Sequence, residues 1–258
     1  MVDAPAQEGS FRSRFAGGSR LIGTFIKTPT GHATEILGLI GFDFIVIDEE
    51  HAPFDRLAID QALLAARASG TAGIVRVAQP TASNILSVLD SGATGVLVPH
   101  VSSAGKAREI AAAARYRSGN RGFSNSPRAG GYGARPMAEH IATSDAQTTL
   151  IAMIEDVEAL DEIDEILATE GLDGVFIGRG DLAVALGAEN ANAPEVMEAV
   201  ARIADAARRA GKPVCVMVGA AGDAAQYLAM GATAFIVSSD QGLMRQAGMK
   251  VLKDFAGI

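Results

Sequence analysis

The chain has 258 residues, of which 48% are hydrophobic, and it carries a formal net charge of −8 with a pI near 5.0. This length and apolar content predict one domain that spans residues 1–258. Acidic proteins repel a phosphate backbone, so we expect no nucleic-acid partner. A single cysteine excludes a disulfide framework. No apolar run reaches the roughly 20 residues of a membrane span, and the first residues lack the apolar core of a secretory signal, so we expect a cytoplasmic protein without a membrane partner.

Strand-like and helix-like segments alternate along the whole chain. Residues 1–20 are predicted to form an extension or a short cap. Alanine-rich periodic segments such as 56–70 and 195–211 then separate short β-branched runs, and several of these helical segments end at glycine. Eight strands are predicted, at residues 21–27, 42–48, 73–78, 95–101, 150–156, 174–180, 213–219 and 234–239.

The predicted strands are almost continuously apolar, which is typical of parallel strands covered on both faces. Eight strand-plus-helix units in about 250 residues favour an α/β fold of the (β/α)8 TIM barrel type, and an open doubly wound sheet is the alternative. Residues 116–136 interrupt the alternation with a long loop rich in Gly, Ser, Arg and Pro. A lid, an arm that reaches another subunit, and an ordinary surface loop are all compatible with this composition.

Polar residues collect where the predicted strands end, which is where barrel enzymes place their chemistry. The segment IVIDEEHAPFD at 45–55 ends an apolar run in three successive carboxylates and His51, a charge density that a purely structural strand end does not need. Glu155 and Asp181 end neighbouring strands, 26 residues apart. Their carboxylates could approach one point and hold a hard divalent ion such as Mg²⁺ or Mn²⁺, although each acid alone could be a solvated strand end.

Two further strand ends carry groups that need a partner. Arg76 lies between apolar neighbours in VRV, where an unpaired guanidinium is costly to bury, so it requires a structural carboxylate or a substrate anion. His51 is a candidate base or a structural histidine. The glycines around Arg179 in IGRGDLA precede a helical pattern that could begin at Leu182. They leave backbone amides free at Gly180 and Asp181 that could bind a substrate carboxylate.

The strings IDEEHAPFD, VRV, LDSGATGVLVPHV, RYRSGNRG and EGLDGVFIGRGDLA occur in this order, together with a strand that ends in IE. In this combination the chain, from about residue 20 to residue 240, resembles the HpcH/HpaI aldolases, a family of metal-dependent pyruvate aldolases. The resemblance implies a carbon–carbon lyase that cleaves or forms 4-hydroxy-2-keto acids through a pyruvate-type enolate, with a 2-keto acid and an aldehyde as small-molecule partners. It also implies a homohexamer built as a trimer of dimers, in which the C-terminal helix, residues 241–256, is exchanged between subunits.

The resemblance assigns the metal and substrate contacts by position. Glu155 and Asp181 match the ligands of a divalent ion, Mg²⁺, Mn²⁺ or Co²⁺. The amides of Gly180 and Asp181 match the site for the keto acid's carboxylate. Arg76 matches the arginine that stabilises the enolate, and it thus counts as both a catalytic and a substrate-binding residue.

Three further residues match the family's proton-handling groups. His51 matches the catalytic base. Asp90, in LDSG, matches an acid that raises the basicity of the histidine, in one arrangement from the neighbouring chain. Asp48 matches an acid close to the water of the metal.

Some positions depart from the family pattern. Met153 stands where a glutamine is common, Arg179 and Gly180 replace a Pro-Ala pair, and Glu49 replaces a small residue. These departures leave the natural substrate open, and the added cation at Arg179 favours a more acidic one. Two alternatives are a citrate-synthase-like condensing enzyme of the same family and a Schiff-base aldolase that uses Lys27. A barrel that only binds an effector is a third.

Overall fold

The computed structural model describes residues 9–257 and forms a closed barrel of eight parallel strands in the order β1 to β8. The predicted (β/α)8 fold and all eight strands are therefore confirmed. The strands are β1 (Leu21–Ile26), β2 (Phe44–Asp48), β3 (Ala72–Arg76), β4 (Gly95–Val98), β5 (Thr149–Ile154), β6 (Gly174–Ile177), β7 (Val214–Val218) and β8 (Ala232–Ser239).

The helices surround the barrel, and several of them begin at a residue whose side chain caps the first turn. They are α1 (Phe11–Ala16), α2 (Gly31–Ile40), α3 (Arg56–Ser69), α4 (Ala82–Asp90), α5 (Ala104–Ala114), α6 (Met137–Gln147), α7 (Ile163–Leu167), α8 (Arg179–Ala185), α9 (Pro194–Arg209), α10 (Ala221–Ala229) and α11 (Asp240–Phe255). The side chains of Asp55 and Thr81 accept hydrogen bonds from the first-turn amides of α3 and α4. Gly41 and Gly70 end α2 and α3 in the left-handed conformation that glycine adopts without strain.

Two apolar layers hold the barrel together. One layer fills the barrel interior and includes Phe25, Ile74 and Phe176, and the other lies between the strands and the helices. The helix α1 adds Phe11 and Phe15 to the interior layer, where the ring of Phe11 lies 5.4 Å from that of Phe44. Residues 1–8 of the predicted extension or cap lie outside the described residues. No helix within residues 9–257 is long and apolar enough to cross a membrane.

The segment between α5 and α6 matches the predicted long loop. It contains a short 3-10 helix, Arg128–Gly130. Arg128 fixes the loop to two neighbouring helices because its Nη1 donates hydrogen bonds to the carbonyls of Asp60, in α3, and Ser91, at the end of α4, at 3.1 and 3.0 Å. This part of the loop is thus held against α3 and α4 of the same chain.

Candidate active site at the carboxyl ends of the strands

Asp48 and Arg76 form a buried ion pair at the mouth of the barrel. They are the last residues of β2 and β3 and lie opposite each other in the strand register. The Oδ1 atom of Asp48 accepts a hydrogen bond from Nε of Arg76 at 2.9 Å, and Oδ2 accepts one from Nη2 at 2.8 Å. The amide of His51 donates to Oδ1, and Nζ of Lys27 donates to Oδ2. Arg76 thus has the carboxylate partner that its buried position requires.

The environment of Asp48 stabilises its ionised form. Burial alone would raise the pKa of this fully buried carboxyl, but the hydrogen bonds and charge of Arg76, together with the hydrogen bond from Lys27, hold the pKa below 3.8. Asp48 is therefore a permanent anion that fixes the guanidinium of Arg76. The Nη1 atom of Arg76 is not used by Asp48, and it lies 3.2 Å from Oε2 of Glu50.

Glu155 is a second buried acid, one residue beyond the end of β5. It is 2% exposed, and its Oε1 accepts a hydrogen bond from the amide of His100 at 2.9 Å. Burial raises the pKa of Glu155 to about 7, and the negative charges of Asp181 and Glu50 contribute to this rise. A carboxyl group in this position is poorly neutralised by the protein itself, and a bound cation would stabilise its charge.

His100 follows β4 with a positive φ of 54°, a conformation that few residues other than glycine adopt. Its Nδ1 atom lies 3.2 Å from Oδ1 of Asp156 and 3.5 Å from Oε1 of Glu155. Burial lowers the pKa of His100, but the hydrogen bond to Asp156 and the charges of Glu155, Asp156 and Glu50 outweigh burial and raise it. The unusual backbone therefore brings the imidazole into the acidic cluster.

Glu50, His100 and Glu155 could hold a metal ion. Each offers one ligand atom, and these atoms lie within 4.8 Å of one another. The Oε2 atom of Glu50 is buried without a hydrogen bond, although Nη1 of Arg76 lies 3.2 Å away, so it can still accept a further partner. Carboxylate and imidazole donors suit a divalent ion, so the residues fit the metal site that the sequence predicts at the mouth. The sequence did not identify Glu50 and His100 as ligands, although Glu50 belongs to the unusual run of three carboxylates.

Asp181 lies in the first turn of α8 and is exposed. Its charge contributes to the raised pKa of Glu155, but Asp181 is not among the ligand atoms that lie within 4.8 Å of one another. The helix begins at Arg179, earlier than the start at Leu182 that the sequence suggested. Gly180 has open space at its Cα, whereas a Cβ atom at Gly178 would lie 2.6 Å from Cβ of Glu155. Gly178 thus leaves room for Glu155, and Gly180 leaves the helix start accessible.

The other predicted residues occupy different places around the mouth. The side chain of His51 is 58% exposed, and its Nε2 lies 3.7 Å from Oε2 of Glu50. Arg179 is held at the rim, because Nη1 donates to Oδ1 of Asn192 at 2.8 Å and Nη2 to the carbonyl of Met217 at 2.8 Å.

Asp90 lies at the opposite end of the barrel from His51 in the same chain. It is the last residue of α4, shortly before β4 begins, and its Oδ1 accepts a hydrogen bond from Nη2 of Arg121 at 3.0 Å. One subunit therefore does not bring Asp90 and His51 together.

Comparisons with known proteins agree with this architecture. The profile of the HpcH/HpaI aldolase/citrate lyase family matches residues 21–247. A 5-keto-4-deoxy-D-glucarate aldolase of Shigella dysenteriae is 38% identical over 247 residues, which cover 95% of this chain and 96% of the relative. The crystal structure of a family protein from Burkholderia cenocepacia superposes with a TM-score of 0.89 at 29% identity, covering 94% of this chain and 97% of that one.

The crystal structure of the citrate synthase SbnG is also similar, with a TM-score of 0.86 at 30% identity, and it covers 96% of this chain and 99% of that one. The family that the sequence motifs suggested is thereby confirmed, and so is the prediction of an aldolase-type carbon–carbon lyase, since the curated relatives are aldolases over almost their whole length. The chain belongs to the HpcH/HpaI aldolase/citrate lyase family.

Proposed function

We propose that this protein is a divalent-metal-dependent aldolase that cleaves a 4-hydroxy-2-keto diacid of the 5-keto-4-deoxy-glucarate type. The observation that carries the proposal is the convergence of Glu50, His100 and Glu155 beside the buried pair of Asp48 and Arg76. Such a diacid has a methylene group between its ketone and a hydroxyl-bearing carbon. Retro-aldol cleavage of the bond between the methylene carbon and the hydroxyl-bearing carbon gives pyruvate and a three-carbon aldehyde acid that carries a hydroxyl group.

The residues that would hold the ion are Glu155 and Asp181, with Glu50 and His100 as further candidates. A bound Mg²⁺, Mn²⁺ or Co²⁺ would supply Lewis-acid stabilisation of the negative charge that develops on the keto acid. The amides of Gly180 and Asp181 would orient the keto acid's carboxylate. The exposed start of α8 supports this role, because Gly180 has no side chain and no atom lies close to its Cα face.

Arg76 would stabilise the enolate oxygen of the departing pyruvate unit through its Nη1 atom. Its Nε and Nη2 atoms are occupied by Asp48, which fixes the plane of the guanidinium. Nη1 has Glu50 at 3.2 Å and the sulfur of Met153 at 4.0 Å as neighbours. A donor that is fixed before the reaction stabilises developing charge without a reorganisation cost.

His51 would accept the proton of the substrate hydroxyl at a ring nitrogen as the carbon–carbon bond breaks. Its exposed side chain is accessible to a substrate at the mouth, and the nearby Glu50 can stabilise the imidazolium that forms. In the synthetic direction the same ring returns the proton to the new hydroxyl group.

A Schiff-base mechanism on Lys27 is not favoured by the contacts of this lysine. Its Nζ donates a hydrogen bond to the fully buried Asp48, and this contact holds the amine in a structural role instead of leaving it free as a nucleophile. Borohydride reduction in the presence of pyruvate is therefore expected to leave the mass of the protein unchanged. A stable adduct at Lys27 would instead establish the imine route.

The similarity to the citrate synthase SbnG keeps a condensing reaction as the second candidate. Incubation with oxaloacetate and a second carbonyl or acyl partner, followed by product analysis, separates the two activities. An aldolase releases pyruvate from a 4-hydroxy-2-keto acid, whereas a condensing enzyme consumes oxaloacetate without releasing an aldehyde.

We further propose a homo-oligomer, in line with the homohexamer, built as a trimer of dimers, and the helix exchange that the family resemblance implies. The helix α11 exposes Met244, Met249, Leu252 and Phe255, each by more than half of its surface. Apolar side chains of this size are stabilised by burial against a second chain. Light scattering should give a mass of several subunits for the wild type and a smaller one for Leu252→Glu.

The proposed activity is tested with a panel of 4-hydroxy-2-keto acids, assayed for pyruvate release with and without Mg²⁺, Mn²⁺ or Co²⁺. We expect EDTA to abolish cleavage and an added metal to restore it. His51→Gln should lower kcat by about 100-fold or more, while His32→Gln, an exposed histidine on α2, should match the wild type. Cleavage that persists after chelation, or equal effects of the two substitutions, would refute the mechanism.

A further inference from the structure

An arginine-rich cavity lies at the end of the barrel opposite the mouth. It has a volume of about 310 Å³ and is bounded by α3, the turn between α4 and β4, the loop before α6, and the last turns of α6. Residues Gly92–Thr94 and Thr148, which directly precede β4 and β5, line its inner wall. The cavity is thus separated from Glu155 by the length of β5.

The cavity has a strong excess of positive charge. Its lining includes Arg67, Arg121, Arg128 and Arg135, and within residues 9–257 no aspartate or glutamate belongs to the lining. Asp60, just outside, neutralises Arg128, whose Nη2 it contacts at 2.8 Å.

Two of the remaining arginines have no ion pair in the part of the chain that the structure describes. They are Arg67, in the last turn of α3, and Arg135, in the loop. Both are exposed at the rim of the cavity, and neither forms an ion pair with a described carboxylate. Their charges are therefore available to a ligand.

Arg121 provides a second, independent indication of a ligand. Its residue surface is only 7% exposed, and its Nε atom is buried without any hydrogen-bond partner. Its Nη2 pairs with Asp90 at 3.0 Å, and its guanidinium carbon lies 4.5 Å from the ring centroid of Tyr116. A buried guanidinium donor without an acceptor is costly, so an acceptor that enters the cavity would stabilise the site. The pKa of the nearby His140 is lowered, chiefly by burial and also by the charges of Arg121 and Arg135, which agrees with a positive potential here.

The hydroxyl groups of the wall match the same kind of ligand. The lining includes the hydroxyl-bearing residues Thr143, Ser144 and Thr148, at the end of α6 and just after it, and Thr94 in the turn before β4. Guanidinium groups combined with hydroxyl donors are the usual partners of tetrahedral phosphate oxygens. The cavity volume exceeds that of a phosphate group and leaves room for a few carbon atoms.

We propose that this cavity is a binding site for a small phosphorylated anion, either free phosphate or the phosphate monoester of a small metabolite. Arg67 and Arg135 bind the ligand at the rim, and Arg121 donates to it from the base. No residue of this chain's own mouth takes part in the site, whereas Arg121 also holds Asp90, which the proposed oligomer would bring to a partner's His51.

The test is calorimetric titration of the Mg²⁺-loaded protein with inorganic phosphate and, separately, with 3-phosphoglycerate, at constant ionic strength. We expect saturable binding of at least one ligand, and the tighter of the two identifies the source. In the double variant Arg67→Met and Arg135→Met, both exposed positions that should fold normally, the Kd should rise at least about tenfold.

Two controls locate the binding. Arg108→Met removes an exposed arginine from a different cavity, which is also lined by Glu165 and Glu170, and should keep the wild-type Kd. Glu155→Gln alters the mouth of the barrel and should also keep the wild-type Kd. No saturable binding to the wild type, an unchanged Kd in the double variant, or an equal loss in either control would overturn the proposal.

Discussion

Replacing Asp48 with asparagine removes a fully buried charge while it preserves the shape of the side chain. Four donors point at this carboxylate, two from Arg76 and one each from Lys27 and the amide of His51. The amide nitrogen of asparagine would face at least one of these donors, and Arg76, whose side chain is 6% exposed, would lose its bidentate partner. Breaking a buried pair by removing one partner costs about 3–5 kcal/mol.

Glu50 lies 3.2 Å from Nη1 of Arg76, so the buried positive charge of the guanidinium keeps one carboxylate neighbour in the variant. We therefore expect a loss of about 3 kcal/mol, at the lower end of that range. The assay is urea unfolding followed by circular dichroism near neutral pH, at one protein concentration because an oligomer's stability depends on it. Asp60→Asn is the matched control. Asp60 is 40% exposed and its pair with Arg128 should be worth only about 0.2–1 kcal/mol.

The pH dependence gives a second reading of the same substitution. The pKa of Asp48 in the folded protein lies below 3.8, the value expected in the unfolded chain. Its contribution to the free energy of unfolding is therefore fully present above pH 3.8 and is lost only as the pH falls through the pKa of the folded state. The stability difference between wild type and Asp48→Asn should thus stay constant from neutral pH down to about pH 5. A difference no larger than that of the Asp60 control, or one that shrinks across this range, would refute a permanently charged Asp48.

Three further outcomes test the site and the fold. Metal-free Glu155→Gln should be at least as stable as the metal-free wild type because a buried carboxylate becomes a neutral amide. Mg²⁺ should raise the Tm of the wild type alone, and an equal rise in both proteins would contradict a role of Glu155 as a metal ligand. Gly178→Ala would place a Cβ 2.6 Å from Cβ of Glu155 and should lower kcat for pyruvate release at least about tenfold, whereas Gly222→Ala, which has open space, should leave kcat unchanged. His140 is fully buried, and burial lowers its pKa from 6.5, so the unfolded chain takes up the proton first and the stability of the wild type falls as the pH drops below 6.5. His140→Phe should remove this loss of stability, and parallel curves of Tm against pH for the two proteins would disprove the role of His140.

The strands could be predicted because their burial dictates their composition. A barrel strand is covered on both faces, so β2, β5 and β6 must be continuously apolar, and this pattern is visible without any alignment. Helix starts were less accurate. Glycines at positions 178 and 180 have poor helix propensity, which suggested a start at Leu182, yet the buried Leu182 and Ala183 anchor α8 and let it begin at Arg179.

The mouth could be predicted only where the register alone determines position. Asp48 and Arg76 end neighbouring strands, so their contact follows from the parallel pairing. Glu50 and His100 reach the same point through backbone geometry beyond the strand ends, including the positive φ of His100. A single sequence does not encode such a dihedral angle in a recognisable form, because histidine rarely adopts it. Glu50 and His100 were therefore visible in the sequence as polar residues after strand ends, but they could not be identified as candidate ligands.

Asp90 shows how the topology constrains a role that the family resemblance assigns. A residue that ends a helix of a βα unit must lie at the amino-terminal end of the barrel, and Asp90 does so, paired with Arg121. It can serve His51 only if a second subunit supplies it. We therefore expect His51→Gln and Asp90→Asn to be inactive separately, while co-assembled subunits in equal amounts should recover activity in about a quarter of the sites, those that combine an intact His51 with a partner's intact Asp90. Absence of recovery in verified mixed oligomers would restrict Asp90 to its ion pair with Arg121.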